Sequence, residues 1–123
     1  MKLNKNLVLT ALIAVVIGIT VLSLLPPKSG VELGKHDKIN HFVAYSVLSL
    51  TFGIWIQSTK KHVYFLPALI AYGLLMEFFQ GFVPGREQSW LDALANTGGV
   101  SLGFMLALVN TKLGWVRVKK SFM

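Results

Sequence analysis

Residues 76–99 read MEFFQGFVPGREQSWLDALANTGG. The chain on either side is oily, yet Glu77, Gln80, Arg86, Asp92 and Asn96 crowd into this one stretch. Glu77 and Asn96 stand inside segments that otherwise read as apolar helix. A carboxylate within a membrane span costs about 2.5 kcal/mol or more on insertion scales, and such groups are generally paired and functional. The rest of the reading asks where these side chains meet.

The surrounding composition sets the solvent. Of 123 residues, 54% are hydrophobic and 14% charged, with a mean hydropathy of +0.61. Soluble domains carry about 25% charged residues, and a small soluble fold exposes too much of its chain to be this apolar. A single membrane-embedded domain over residues 1–123 follows. The absence of cysteine rules out disulfides and thiolate metal sites. The net charge of +7 sits in short loops and tails. Without a basic helix interleaved with aromatics it points to topology and anionic lipid headgroups, not to nucleic acid.

Four stretches have the length of a membrane helix: Leu7–Leu25, Ile39–Gln57, Val63–Val83 and Leu91–Val109. Pro26 and Pro27 stop the first and Pro84 the third. Pro67 is placed in the first turn of the third, where a missing N–H costs little. Lys2 and Lys5 resemble the charged region of a signal peptide. The apolar run that follows is too long, and no A-x-A-like site follows it, so the first helix is expected to stay as an anchor.

Short connections make successive helices antiparallel neighbours. Lys2, Lys5, Lys60, Lys61, Lys112, Arg117, Lys119 and Lys120 then fall on one side, and Lys28, Lys35, Lys38 and Arg86 on the other. This bias predicts an antiparallel four-helix transmembrane bundle with both termini cytoplasmic. Trp55, Tyr64 and Trp115 would mark the inner interface and Trp90 the outer one.

Chain reversal alone brings the polar residues to the outer end. Asp37, Lys38 and His41 open the second helix, with Tyr45 on the same face at i+8 from Asp37. Glu77 and Gln80 close the third helix, Arg86 lies in the loop, and Asp92 and Asn96 open the fourth. Asp92, Asn96, Gly99 and Gly103 form one stripe whose lower half is G-x-x-x-G, a close-approach surface. Each residue also has a plain structural reading. Asp37 and Asp92 can cap helices, the latter through the capping-box spacing of Ser89-Trp-Leu-Asp92. Lys38 and Arg86 can be interfacial charges. His41, Gln80 and Asn96 can be interhelical hydrogen-bonding groups, worth about 0.6 kcal/mol on average.

The blocks DKINHFVAYSVLSL (Asp37–Leu50) and EFFQGFVPGREQSWLDALANTGG (Glu77–Gly99), in this order and on four helices, resemble the VanZ-like family of small bacterial membrane proteins. The likeness runs from about Lys35 to Gly103, and the first helix matches only as a generic apolar span. It implies a multi-pass protein of the bacterial cytoplasmic membrane and cell envelope. The family's naming member is associated with resistance to the lipoglycopeptide teicoplanin. The matching positions are Asp37, Lys38, His41, Tyr45, Glu77, Gln80, Arg86, Asp92 and Asn96. The family's mechanism is largely undefined.

The inventory supports two main classes of function. In the first, Lys38 and Arg86 hold the anionic group of an envelope lipid, an envelope precursor lipid or a lipoglycopeptide, with Asn96, Gln80 and Tyr45 supplying hydrogen bonds. In the second, a membrane enzyme acts on a lipid-linked substrate, with Glu77 and His41 as general acid and base and Asp92 beside them. Asp37, His41, Glu77 and Asp92 are all capable metal ligands. No H-E-x-x-H-type spacing is present, so no metal and no cofactor are assigned. Polar groups confined to one end make a poor transport path.

Overall fold

The computed structural model describes residues 1–25, 35–56, 59–85 and 89–119. Four helices carry most of them: α1 (Lys5–Leu24), α2 (Lys35–Ile56), α3 (Thr59–Gln80) and α4 (Trp90–Leu113). Two short strands, β1 (Lys2–Asn4) and β2 (Arg117–Lys119), pair in parallel with Lys2 opposite Arg117. The sequence reading did not anticipate them. They hold the two ends of the described chain side by side, helped by the N-terminal ammonium, which donates to the Trp115 carbonyl at 2.9 Å.

Helix boundaries follow local chemistry. Asn4 caps α1 by accepting from the Asn6 N–H at 2.8 Å. Gly114 ends α4 in the left-handed region, φ 69°, and its N–H donates to the Asn110 carbonyl at 2.7 Å. The third helix stops at Gln80, short of the expected Val83. Gly81, Phe82 and Val83 instead turn back on the carbonyls of Phe78, Phe79 and Gln80 at 3.0–3.2 Å. Pro84 is the reason, since it disfavours helical geometry at the residue before it. At its other end α3 starts at Thr59, so Pro67 lies in the helix interior and not in the first turn as expected. The fourth helix runs past Val109 to Leu113.

α1, α2 from Lys38, and α4 are each long and apolar enough to cross a membrane, while the apolar part of α3, Tyr64–Gln80, is shorter. Polar side chains are buried beside an apolar core that includes Leu12, Leu48, Leu69 and Val100, and many large apolar side chains face outward. Ser49, Glu77, Gln80, Asp92, Asn96 and Asn110 are buried, whereas Ile13, Ile17, Val43, Leu74, Phe78, Leu94 and Met105 are exposed. An apolar surface of this extent suits lipid and not water.

The most extensive helix pair is α2 with α4. A Cβ built on Gly99 would collide with the Phe42 carbonyl oxygen, and one on Gly103 with the Ser46 carbonyl oxygen. The glycines therefore let the two backbones touch, as the G-x-x-x-G stripe anticipated. Contacts advance together along this pair: His41 with Asn96, Phe42 with Gly99, Ser46 with Gly103. Along α3 and α4 they run in opposite senses, Gly73 with Asn96 and Glu77 with Ser89. Thr20 meets Tyr72, and Ser23 meets Gln80, so α1 and α3 advance together. The ends of α1 and α3 and the starts of α2 and α4 consequently share one end of the molecule. The paired strands occupy the other.

Candidate functional site

Lys38, His41, Glu77, Gln80, Asp92 and Asn96, of the polar residues singled out in the sequence, lie toward the end opposite the strands. Glu77, on the last turn of α3, is 6% exposed, and its Oε1 accepts the backbone N–H of Ser89 at 2.6 Å. Ser89 is the N-cap of α4. Glu77 thus sits at the positive end of the α4 dipole and satisfies one of the N–H groups exposed where that helix begins. This accounts for how a carboxylate is supported in an apolar helix.

That contact also revises the expected capping box. Ser89 Oγ accepts from the Asp92 N–H at 3.4 Å, which is the forward half of the box. In a full box the Asp92 carboxylate would answer the Ser89 N–H. Glu77 takes that place from another helix, and Asp92 instead points at α2. Its Oδ1 lies 3.7 Å from Lys38 Nζ, with Asp92 9% exposed and Lys38 43% exposed through their side chains. The pair joins a buried carboxylate to a cation that still reaches solvent or headgroup.

One turn into α4, Asn96 is 2% exposed and joins three helices. Its Nδ2 donates to the Gly73 carbonyl of α3 at 3.1 Å. Its Oδ1 lies 2.8 Å from His41 Nδ1 of α2. A carbonyl only accepts, so the first bond sets which way the amide faces. His41 Nδ1 must then donate to Asn96 Oδ1, and in neutral His41 the lone pair belongs to Nε2. Asn96 therefore selects the tautomer and aims the ring. The ligand atoms of His41, Glu77 and Asp92 all lie within 4.8 Å of one another.

Tyr45, one turn below His41, is buried with its ring 6.0 Å from that of Tyr72. Its hydroxyl has no hydrogen-bond partner among the described residues and lies within Coulombic reach of Glu77. Gln80 makes an interhelical hydrogen bond, one of the two roles expected of it. Its Nε2 donates to the Ser23 carbonyl at 3.1 Å, satisfying one of the last carbonyls of α1. Arg86 lies outside the described residues, and so does the side chain of Asp37.

Gly73 was not singled out in the sequence. A Cβ there would press on Asn96 Cβ at 3.1 Å and Tyr45 Cε1 at 3.2 Å. Its signal was available in its position four residues before Glu77, on the same helix face. Asn110 was also missed. It is buried at the far end, where its amide brackets Val116 by accepting from the N–H at 2.8 Å and donating to the carbonyl at 2.9 Å.

The chain matches no family model, no curated protein and no solved structure.

Proposed function

We propose that this chain is a four-pass protein of the bacterial cytoplasmic membrane, an antiparallel bundle with both termini cytoplasmic, that binds the anionic headgroup of an amphiphile at the outer leaflet. The observation that carries this reading is the Lys38–Asp92 pair, which places a half-exposed cation at the rim of a buried polar cluster. Lys38 supplies a positive charge for a phosphate or carboxylate, and Arg86 is the proposed second cation. Asp92 positions Lys38. His41, whose Nε2 accepts, and Asn96 form a polar floor that suits a hydroxyl group of the headgroup. The apolar flanks of α2 and α4, with Val43 and Leu94 exposed, would take the hydrocarbon tail. The resemblance to VanZ-like proteins names one such amphiphile, a lipid-tailed glycopeptide, beside envelope lipids and their precursors.

The test is survival of bacteria expressing the protein against a lipid-tailed glycopeptide, scored beside protein abundance in the membrane. Lys38→Ala and Arg86→Ala should each lower survival at unchanged abundance. Parental survival in both at equal abundance would remove the headgroup role.

A second reading is favoured by the His41–Asn96 bond. With Nδ1 committed to Asn96, Nε2 is left as the basic nitrogen of a ring that lies close to two carboxyl groups. That arrangement suits proton transfer in a membrane enzyme acting on a lipid-linked substrate, with Glu77 as acid and Asp92 beside it.

A further inference from the structure

We propose that His41, Glu77 and Asp92 form a site for a divalent transition-metal ion of the zinc class. The three residues come from α2, α3 and α4, and their ligand atoms lie within 4.8 Å of one another. One imidazole nitrogen with carboxylate oxygens suits zinc and its first-row neighbours, whereas calcium and magnesium favour oxygen donors and higher coordination. Three protein donors leave a position open for an outside oxygen ligand, the count found in zinc sites that exchange ligands. With bonds of about 2.0–2.2 Å, tetrahedral donors stand roughly 3.3 Å apart. The cluster must contract from its present spacing for a metal to be bound by all three.

Two further observations point to a ligand here. The first is the support of His41. A metal-bound histidine nearly always donates its other ring N–H to an acceptor that fixes tautomer and orientation. Asn96 does this for His41 at 2.8 Å, and is itself fixed by the Gly73 carbonyl at 3.1 Å. The second is Tyr45. Its hydroxyl is buried, without a hydrogen-bond partner among the described residues, and within Coulombic reach of Glu77. An oxygen ligand that completes the coordination shell is one partner this hydroxyl could take.

Charge supports the same assignment. Two buried carboxylates this close repel each other, and a dication bound to both relieves that repulsion. Lys38 competes for Asp92 from 3.7 Å. Its exposed side chain can swing away, so lysine and metal are alternative counter-charges for that oxygen.

The experiment uses the full chain purified in detergent, stripped with a chelator and titrated with Zn²⁺ by calorimetry. One equivalent should bind, and the melting temperature should rise with it. Co²⁺ should give a visible d–d spectrum of a nitrogen–oxygen site. Glu77→Gln and Asp92→Asn should each weaken binding at least about tenfold, and Asn96→Ala by about 10–100-fold. Lys38→Met should strengthen it. His36→Ala and His62→Ala should leave it unchanged. Absence of stoichiometric binding and of the Co²⁺ spectrum in the folded parent overturns the proposal, whatever the variants do. So does binding that survives both carboxylate changes or is lost with His36 or His62. Headgroup binding by the chelated protein leaves the preceding functional reading standing on its own, and metal binding without it leaves only the metal site.

Discussion

Glu77 of α3 accepts the backbone N–H of Ser89, the residue that caps α4, at 2.6 Å. A side chain that the sequence marks as chemically expensive is therefore also the bolt between two helices. Glu77→Leu would leave that N–H without its acceptor inside an apolar bundle, a loss of about 1–3 kcal/mol. Glu77→Gln keeps an oxygen in place and removes the charge, so its cost should be smaller. Thermal melting in detergent should rank them parent, Gln, Leu. A Leu variant as stable as the parent would show that the N–H finds another acceptor and that Glu77 is not structural.

The α2–α4 contact makes a sharper prediction because one glycine serves as control for another. At Gly103 a Cβ would meet Ser49 Cβ at 2.7 Å and Leu50 N at 2.8 Å, while at Gly18 nothing lies within 4 Å. Gly103→Leu should force the helices apart, forfeit their dispersion contacts and lower the melting temperature or the yield. Gly18→Ala should be neutral or stabilising by up to about 1 kcal/mol, because glycine is a poor helix former. Equal tolerance at both positions would place the Gly103 face against lipid.

Orientation rests on the charge bias and on the pairing of β1 with β2, which keeps both ends of the described chain together. Cysteines at Lys35 and Arg86 should react with an impermeant thiol reagent in intact cells, and cysteines at Lys60 and Lys119 should not. Labelling of the second pair in sealed cells inverts the topology and puts the polar cluster in the cytoplasm.

Much of the site was readable because polar residues are conspicuous in an oily chain and because helical spacing assigns them to faces. His41, Glu77, Asp92 and Asn96 were grouped on that basis, and the Gly99–Gly103 stripe was recognised as a contact surface. What could not be read is partnership across helices. G-x-x-x-G announces a close approach but not that α2 is the neighbour. The spacing of Ser89 and Asp92 suggested a reciprocal cap, yet the answering carboxylate comes from Glu77, twelve residues earlier on another helix. The trio proposed as metal ligands is drawn from three helices and so has no linear spacing to recognise. The strands were missed because three residues carry no periodicity, and the partner of Gln80 was not legible because a backbone carbonyl has no sequence identity.

Asn96 is where structure and chemistry separate most cleanly. Interhelical hydrogen bonds in membrane bundles average about 0.6 kcal/mol and reach about 1.7. Asn96 makes two, to Gly73 and His41, and is 2% exposed, so water cannot replace them easily. Asn96→Ala should therefore cost about 1–2 kcal/mol of stability, near the upper part of that range. Asn96→Asp should cost more, since a carboxylate cannot donate to the Gly73 carbonyl and adds a third acidic group beside Glu77 and Asp92. Stability alone would not separate Asn96 from any other packed polar residue. The separating measurement is the imidazole nitrogen spectrum of histidine-labelled protein, with His36 and His62 assigned by substitution. Parental His41 should be the Nδ1–H tautomer when neutral, because Asn96 Oδ1 accepts only from that nitrogen. In Asn96→Ala the signal should move toward a mixture of tautomers. If His41 keeps a single Nδ1–H form without Asn96, another group aims the ring, and both the proton-transfer reading and the metal site lose their positioning residue.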